Sequence, residues 1–424
     1  MNFEIISIGD ELLIGQTINT NASWMAEQGL RWGLQCNRIH TIGDAPEDLL
    51  TVLDEVLARV GLVWITGGLG PTQDDRTKDT LVQYFGCGVA LHRPTLERIE
   101  AYFALRGLPM LEVNRLQAQL PVGPGTEILP NPRGTAAGMW FETREGKVVV
   151  ALPGVPGEMK GLLEEEVLPR VRTRWDLPHR PQRTVRVHGM GESYISHRLA
   201  EWETELESRG VSMAYLPHLG SVRVRFSTVS GDGPAADALL ESVCAAFAER
   251  VGPAVFSLHD APLAEVVGLR LLERGETVGV VESCTGGALA AAFTSIPGAS
   301  RYFMGGVVAY DAGGKSRWVG VDPELVRKEG AVSEAVAAAL ADGGREQLGV
   351  DWCIATTGVA GPSPADGGEG RPEVAVGTLY IAVSGPGFAT PRVFLVQSAP
   401  RQSRVQLIER WVLDAMNRLR LEIC

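Results

Sequence analysis

Short, continuous apolar runs that each end in glycine are the feature that most constrains the fold of this chain. FEIISIG, LVWITGG and KVVVALPG are three such runs, and helical patterns such as PEDLLTVLDEVLARV lie between them. Buried strands that alternate with helices are typical of a parallel sheet covered on both faces. The pattern predicts an α/β unit over residues 1–170, with ligand crevices where the strands end.

The rest of the chain predicts two further domains. Residues 171–255 follow a basic, proline-containing stretch, and they combine a helix over 192–208, the alternating strand SVRVRFS and an alanine-rich helix near 234–251. Residues 256–424 again alternate strands such as TVGVVES and VDWCIATTG with helices. We therefore predict two α/β three-layer domains with mostly parallel sheets, joined by a small α+β middle domain.

Composition excludes several classes of protein. The 424 residues carry a net charge of −12, which argues against a protein that binds nucleic acid through its phosphates. The arginines of SVRVRFS have no aromatic residues between them, so we interpret them as a solvated strand face. The N-terminus lacks a secretory signal, and no apolar run approaches the roughly 20 residues of a membrane span. Six scattered cysteines without a CxxC pair predict free thiols in a reducing cytosol, hence a cytoplasmic protein.

The stretch VESCTGG, residues 281–287, ends a predicted strand and begins an alanine-rich helix. At such a junction the polar residues cap the helix, bind an anion, or supply a nucleophile. Lys315 and Tyr310 follow another predicted strand, and a buried lysine of lowered pKa is a base that activates a serine. Cys284 is the rival nucleophile, although a small buried side chain is the more ordinary role for it.

The third domain resembles the nicotinamide-nucleotide amidase domain of the competence/damage-inducible protein A (CinA) family. The resemblance is carried by ESCTGG, PGASRYFMGGVVAY, Lys315, GAVSEAVA and TTGVAGP in the family's order over about residues 260–420. It implies hydrolysis of the carboxamide of nicotinamide mononucleotide to nicotinate mononucleotide and ammonia, without a metal or organic cofactor. The chain departs from the family pattern at YDAGG and in a longer link after GVAGP, which changes a rim loop.

The resemblance also implies roles for individual residues. It assigns the nucleophile to Ser283, with Lys315 and Tyr310 as its activating partners. Ser300 and Thr357 match positions that line the family's site, and Arg401 aligns with a family arginine. The candidates for binding the substrate and stabilising the oxyanion are the turn around Gly286, through its backbone N–H groups, and the hydroxyl of Thr357. The turn residues concerned are Thr285, Gly286 and Gly287.

Two glycine-rich stretches of the first domain indicate a phosphate and metal site. TGGLGPTQDD places Gly67, Gly68, Gly70 and Thr72 in a turn after a strand, where successive N–H groups bind phosphate oxygens. The same stretch carries two adjacent aspartates, and SIGDELLIG carries an acidic pair after the first strand. Adjacent carboxylates near phosphates commonly hold Mg²⁺, but they also cap helices. The candidate metal ligands are Asp74, Asp75, Asp10 and Glu11.

The first domain also resembles the CinA family, whose N-terminal domain is molybdopterin-binding-like. The matching motifs are GDELLIGQTINTN, TGGLGPTQDDRT, NPRGTAAGM and LPGVPGEM. The resemblance implies ADP-ribose pyrophosphatase activity with a divalent cation, and hence nucleotide substrates. At the level of the fold, we expect the middle domain to space the two catalytic domains and to help form a homodimer. Two alternatives stay open: a pterin- or nucleotide-binding protein of molybdenum cofactor assembly, and a non-enzymatic partner in competence or DNA repair.

Overall fold

The computed structural model describes residues 1–177, 181–228, 233–399 and 401–423. These residues form two compact units, one up to Pro181 and one made of most of the chain from Gln182 onward. Within the described ranges, no helix has the length and apolar character needed to cross a membrane.

The first unit is an α/β domain around a mixed sheet. Its strands are β1 (Asn2–Ile8), β2 (Gln35–Ile42), β3 (Leu62–Thr66), β4 (Gly88–Leu91), β5 (Gln119–Val122), β6 (Thr126–Leu129), β7 (Gly138–Glu142) and β8 (Val148–Leu152). Its helices are α1 (Asp10–Leu13), α2 (Thr20–Arg31), α3 (Pro46–Arg59), α4 (Thr77–Phe85), α5 (Arg93–Leu105), α6 (Glu112–Leu116), α7 (Pro156–Leu162) and α8 (Leu168–Arg174), with a π-helical turn at Leu163–Val167 before α8.

The order of strands in the central sheet is β2-β1-β3-β8-β7-β6. The first four are mutually parallel, and β7 and β6 complete the sheet as antiparallel strands. Every residue of β3 and β8 is buried, since α3 covers one face of the sheet and α2, α7 and α8 cover the other. The predicted three-layer arrangement is confirmed here. Strands β4 and β5 form a separate two-stranded sheet.

The second unit begins with a small α+β segment. It comprises β9 (Gln182–His188), α9 (Glu192–Ser208), β10 (Val211–His218), β11 (Ser221–Thr228), α10 (Gly233–Val251) and β12 (Val255–Ser257). The strands form an antiparallel sheet in the order β10-β11-β9-β12. Strand β11 alternates half-buried and buried residues, which confirms the predicted half-exposed strand and places Val222, Val224 and Phe226 against the helices.

The remainder of the second unit is the other α/β domain. Its strands are β13 (Val278–Glu282), β14 (Phe303–Val308), β15 (Trp352–Gly358), β16 (Thr378–Ser384) and β17 (Arg392–Gln397). Its helices are α11 (Leu263–Arg274), α12 (Ala288–Thr294), α13 (Ala312–Val319), α14 (Pro323–Glu329), α15 (Glu334–Leu348) and α16 (Arg404–Glu422), with a 3₁₀ turn at Ala299–Arg301.

The sheet order β14-β13-β15-β16-β17 places β13 between two parallel neighbours. Strands β16 and β17 continue the sheet in antiparallel pairs. Helices α11, α12 and α16 pack on one face of the sheet, and α13 and α15 pack on the other. The carboxyl end of the central strand β13, where VESCTGG begins, therefore lies at the edge where parallel α/β sheets place their sites.

Candidate active site

The buried pair of Ser283 and Lys315 forms the centre of the candidate site in the second unit. Ser283 follows β13 directly, and its N–H donates to the carbonyl of Thr356 on the neighbouring strand at 3.0 Å. The Nζ atom of Lys315, on α13, lies 2.8 Å from the Oγ atom of Ser283. The same Nζ donates to the carbonyl of Ala309 at 2.9 Å, which directs the amine toward the serine.

The surroundings of Lys315 suit a general base. The side chain is 1% exposed, and burial lowers its pKa from 10.5 to about 8 because an ammonium ion is poorly solvated there. A lysine with this pKa is partly neutral at physiological pH. Its nitrogen lone pair then accepts the proton of a hydroxyl within hydrogen-bond distance.

Cys284 lies next to Ser283 but is buried in the hydrophobic core. Burial raises the pKa of its thiol to about 12, which outweighs the lowering effect of nearby Lys315. Since the thiolate is the reactive form of cysteine, this thiol is a poor nucleophile at neutral pH. The geometry therefore favours Ser283 over the rival that the sequence left open.

A carboxylate that the sequence analysis did not single out occupies the start of α12. Glu282 is fully buried, and its side chain accepts hydrogen bonds from the N–H groups of Gly287, Leu289 and Ala290 at 2.8–3.0 Å. The N-terminal dipole of α12 is thus compensated from within the chain. The N–H of Gly286 donates to the carbonyl of Ser283. Both glycine N–H groups that were predicted to meet the substrate therefore have protein acceptors in this structure.

The other predicted residues of the turn region lie in different surroundings. The hydroxyl of Thr285 pairs with that of Thr356 at 2.8 Å inside the protein, and the Thr357 hydroxyl donates to the carbonyl of Ala331 at 2.7 Å. Ser300 is exposed in the 3₁₀ turn. The two threonine hydroxyls thus bind to the protein itself rather than face an open space.

Tyr310 contacts Arg404, an arginine that the sequence analysis did not single out. Its hydroxyl, which lies on an exposed side chain, accepts from the guanidinium of Arg404 at 2.6 Å. Arg404 is the first residue of α16, and it also donates to the carbonyl of Gly361 at 2.7 Å. Arg401 lies before this helix and is exposed. Two arginines stand three residues apart in RQSR, and sequence alone does not decide which of them α16 places beside Tyr310.

Close contacts with neighbouring atoms explain why the turn after β3 in the first unit is rich in glycine. A Cβ atom on Gly67 (φ 111°) would lie 2.1 Å from the carbonyl oxygen of Ile8, and one on Gly68 (φ 65°) would lie 2.1 Å from Oγ1 of Thr77. A Cβ on Gly70 would meet the carboxylate of Asp75 at 2.5 Å. The turn packs tightly against the ends of β1 and α4, whichever ligand it binds.

The carboxylates predicted to hold a metal make different hydrogen bonds in the structure. Asp75 accepts from the N–H of Thr72 at 2.9 Å and also from its hydroxyl, so it braces the turn. A hydrogen bond with Thr72 lowers the pKa of Asp74. Asp44, which the sequence analysis did not single out, accepts the backbone N–H of Asp10 at 3.0 Å, and Asp10 accepts the backbone N–H of Asp44 at 3.3 Å.

Several negatively charged side chains act on Asp44. Burial raises the pKa of the Asp44 carboxyl, and the negative charges of Asp10, Glu11 and Asp74 raise it further. These carboxylates therefore lie near one another at the ends of β1, β2 and β3. Among the described residues, however, no group of three or more histidine, cysteine or acidic side chains is arranged closely enough to hold a metal.

Comparison with known proteins divides the chain into three recognised segments. Residues 4–173 match the model described as a probable molybdopterin binding domain, and residues 182–257 match the damage-inducible protein CinA KH domain. Residues 260–423 match the CinA C-terminal domain. A CinA-like protein of Gemmatimonas aurantiaca is 39% identical over 423 residues, which covers 99% of this chain and 96% of that protein. The chain belongs to the CinA-like family.

Other relatives extend the same finding. A CinA-like protein of Salinibacter ruber is 39% identical over 90% of each chain, and one of Anaeromyxobacter is 37% identical over 100% of this chain and 99% of its own. A solved structure titled as the protein CinA with unknown function from Thermoplasma acidophilum is 32% identical, covers 38% of this chain and 94% of its own, and gives a TM-score of 0.35. The family models and the full-length relatives confirm the predicted family, and the sheets and helices of this structure confirm the predicted fold class.

Proposed function

We propose that the second unit hydrolyses the carboxamide of nicotinamide mononucleotide, giving nicotinate mononucleotide and ammonia. One observation carries this proposal: the Oγ of Ser283 lies 2.8 Å from the Nζ of Lys315, which is buried and has a pKa of about 8. A serine next to an amine that is partly neutral at physiological pH is an activated nucleophile for an acyl carbon. The substrate itself comes from the family resemblance.

In the first half of the reaction, Ser283 loses its proton to the Nζ of Lys315 as Oγ attacks the carboxamide carbon. The carbonyl oxygen becomes an oxyanion. The N–H groups of Cys284 and Thr285 donate to no backbone carbonyl among the described residues, so we assign them to this oxyanion in place of the glycine N–H groups. The C–N bond then breaks, and the amine nitrogen leaves as ammonia with the proton held by Lys315.

The second half of the reaction releases the acid. Water gives a proton to the neutral Lys315 and attacks the acyl carbon of the ester on Ser283. The ester bond breaks, and Oγ recovers its proton from Lys315. The product acid releases its own proton to solvent and leaves as the carboxylate, nicotinate mononucleotide. We assign Arg404, held beside Tyr310, to the substrate phosphate, since a guanidinium pairs well with phosphate oxygens. In this assignment Arg404 replaces Arg401.

Ammonia release from nicotinamide mononucleotide tests the nucleophile. We expect Ser283→Ala to lower kcat by at least about 10³-fold, as the loss of a catalytic nucleophile does in serine hydrolases. The matched control is Cys284→Ala at the adjacent position, which we expect to keep kcat within about threefold because its thiol is protonated. Full activity in the serine variant together with loss in the cysteine variant would overturn the assignment.

We further propose that the first unit hydrolyses ADP-ribose to AMP and ribose 5-phosphate with a divalent cation, in a cytoplasmic homodimer that recycles pyridine nucleotides. The supporting observation is the concentration of negative charge from Asp10, Glu11, Asp44 and Asp74 beside the glycine turn. Oxygen ligands suit Mg²⁺, which proteins often hold through one or two carboxylates together with substrate phosphates. The cation would neutralise the diphosphate, while these carboxylates hold the attacking water.

Product analysis with ADP-ribose tests this second activity. We expect AMP and ribose 5-phosphate to appear with Mg²⁺ and to disappear with excess EDTA. Asp74→Asn should lower the rate by at least about tenfold, whereas Glu97→Gln, on an exposed side chain of α5, should leave it unchanged. An unchanged rate in EDTA would contradict the proposal. Tight pterin binding without hydrolysis would favour molybdenum cofactor assembly instead.

A further inference from the structure

A buried carboxamide in the first unit has no hydrogen-bond partner. Gln117, which directly follows α6, is 7% exposed, and neither its Oε1 nor its Nε2 meets a partner among the described residues. Burying an amide without a partner costs about 1–3 kcal/mol as judged from mutational data. Such groups are rare in native proteins, and each of them calls for a water or a ligand that satisfies it.

Gln117 lines a cavity that is larger than a water site. The cavity has a volume of about 140 Å³, and its buried apolar lining includes Leu69, Leu120 and Met139. At about 30 Å³ per molecule, four to five waters would be needed to fill it. Gly70 and Thr72 of the glycine turn belong to the same lining, so the cavity opens beside the turn that we assign to phosphate.

Hydrogen bonds fix the backbone on both sides of Gln117. Lys78 on α4 reaches across and donates to the carbonyl of Leu116 at 3.4 Å and to that of Gln119 at 3.1 Å. The backbone N–H of Gln117 donates to the carbonyl of Asn114. A side chain on a segment fixed in this way is preorganised, and its unpaired amide does not result from a loose loop.

We propose that this cavity binds the base of an adenine nucleotide, with the Gln117 carboxamide paired to the edge of the ring. Oε1 would accept a hydrogen bond from the 6-amino group, and Nε2 would donate to the adjacent ring nitrogen. A carboxamide makes this bidentate pair with adenine in other proteins, and the apolar walls suit the two faces of the ring. The inference names the base site of the diphosphate substrate and so rests on the second activity proposed above.

Calorimetry on the full-length protein tests the pairing with two ligands. One is AMP, and the other is purine riboside 5′-monophosphate, which lacks only the 6-amino group. We expect the wild type to bind AMP about 5- to 150-fold more tightly, as one bidentate base contact provides. Gln117→Leu should weaken AMP binding by a similar factor and give the two ligands equal Kd values.

Two controls separate this effect from misfolding. Gln117→Leu removes an unpaired polar group, so without ligand it should melt at or above the temperature of the wild type. Gln83→Leu makes the same change on an exposed position of α4 and should leave both Kd values unchanged.

Several results would overturn the base site. They are AMP binding by Gln117→Leu at the wild-type Kd, equal binding of the two ligands by the wild type, and no AMP binding at all. A Gln117→Leu variant that melts earlier yet binds AMP normally would show that the amide holds buried water instead. If ADP-ribose hydrolysis persists in these cases, only the base site is wrong. If hydrolysis is absent from the wild type as well, the proposed second activity fails.

Discussion

At the scale of single residues, the site of the second unit depends on the protonation of Lys315. In the unfolded chain this lysine has its ordinary pKa of 10.5, and in the folded chain burial lowers the pKa to about 8. Between these two values the unfolded state binds more protons than the folded state. Folding stability therefore rises with pH across this window, and the charged amine destabilises the protein below it.

The first prediction concerns the pH dependence of activity. Because Lys315 must be uncharged to accept the proton of Ser283, we expect kcat/KM for the amide to rise tenfold per pH unit below about pH 8 and to level off above it. Initial rates measured from pH 6 to pH 10 give the profile. A profile that stays flat through pH 8 would exclude this lysine as the base.

The second prediction concerns stability at the same residue. A difference of 2.5 pKa units corresponds to about 3 kcal/mol. We expect the free energy of unfolding of the wild type, relative to Lys315→Met, to rise by about this amount between pH 7 and pH 10.5. Denaturant unfolding at several pH values measures it, and other titrating groups cancel in the difference. A difference that is independent of pH would show that the buried amine keeps its ordinary pKa.

At the scale of secondary-structure elements, Glu282 ties the end of β13 to the start of α12. Its carboxylate accepts hydrogen bonds from the backbone N–H groups of Gly287, Leu289 and Ala290. The turn that carries Ser283 is therefore fixed between the end of β13 and the start of α12. Sequence reasoning left open whether the polar residues of this turn cap the helix, bind an anion or supply a nucleophile. The signal it missed is the acidic residue immediately before the serine, at a position where every residue of the strand is buried.

The third prediction follows from this internal cap. Glu282→Ala leaves buried N–H groups of α12 without their acceptor, and we expect the free energy of unfolding to fall by about 2–4 kcal/mol. The matched control is Glu334→Ala, an exposed acidic residue in the first turn of α15, which should cost about 0.3–1 kcal/mol. Equal losses in the two variants, measured by urea unfolding, would mean that the cap contributes only its charge.

The small antiparallel segment shows where its strand arginines bind. Arg183 pairs with Asp237, and Arg186 and Arg223 bind the carboxylate of Asp260. These three arginines are therefore engaged in ion pairs within the chain. Residues 182–257 also contain no G-x-x-G loop, the element with which KH domains clamp nucleic acid. The absence of nucleic-acid binding stays a prediction, and both observations support it.

At the scale of the whole molecule, the second unit contains both the antiparallel segment and the α/β domain. Asp260 lies between them, after β12 and before α11, with φ at 58°, in the left-handed region that non-glycine residues rarely adopt. Its carboxylate accepts from Nε of Arg186 at 2.7 Å and from Nε of Arg223 at 2.9 Å. Arg420 of α16 also reaches the carbonyl of Pro253 at 2.6 Å. These bonds hold the two parts of the unit together.

The fourth prediction tests the bridge at Asp260. Burial alone would raise the pKa of this carboxyl, but hydrogen bonds from Arg223 and Arg186 lower it below its usual range. We expect Asp260→Asn to lower the free energy of unfolding by about 1.5–3 kcal/mol at pH 7. A carboxyl with a depressed pKa stabilises the fold above its unfolded pKa, so the difference should vanish as the pH falls through the folded value.

A second variant separates charge from backbone strain at this position. Asp260→Gly also removes the carboxylate, but glycine adopts the left-handed conformation freely. It should therefore be closer in stability to the wild type than Asp260→Ala is. If Asp260→Asn is as stable as the wild type at pH 7, the carboxylate does not bind the two parts together.

By itself, the sequence determined the main secondary-structure elements and the family, and the proposed chemistry rests on that family resemblance. Continuous apolar runs and helical periodicity predicted β1, β3, β8, β13 and β15, because burial on both faces of a sheet demands apolar side chains at every position. The motifs singled out Ser283 and Lys315. The structure brings the Oγ atom of Ser283 within 2.8 Å of the Nζ atom of Lys315. The tight turn explains the glycines at positions 67 and 68, since a side chain at either position would collide with the backbone of Ile8 or with Thr77 of α4.

Only the tertiary structure decided which groups face each other across the fold. It placed Arg404 rather than Arg401 on Tyr310, brought Asp44 to Asp10, and left the amide of Gln117 unpaired in a cavity. None of these has a local signal, because contacts between residues tens of positions apart depend on strand order and helix docking. Hydrogen bonds and desolvation act over a few ångströms, and only the folded chain determines those distances.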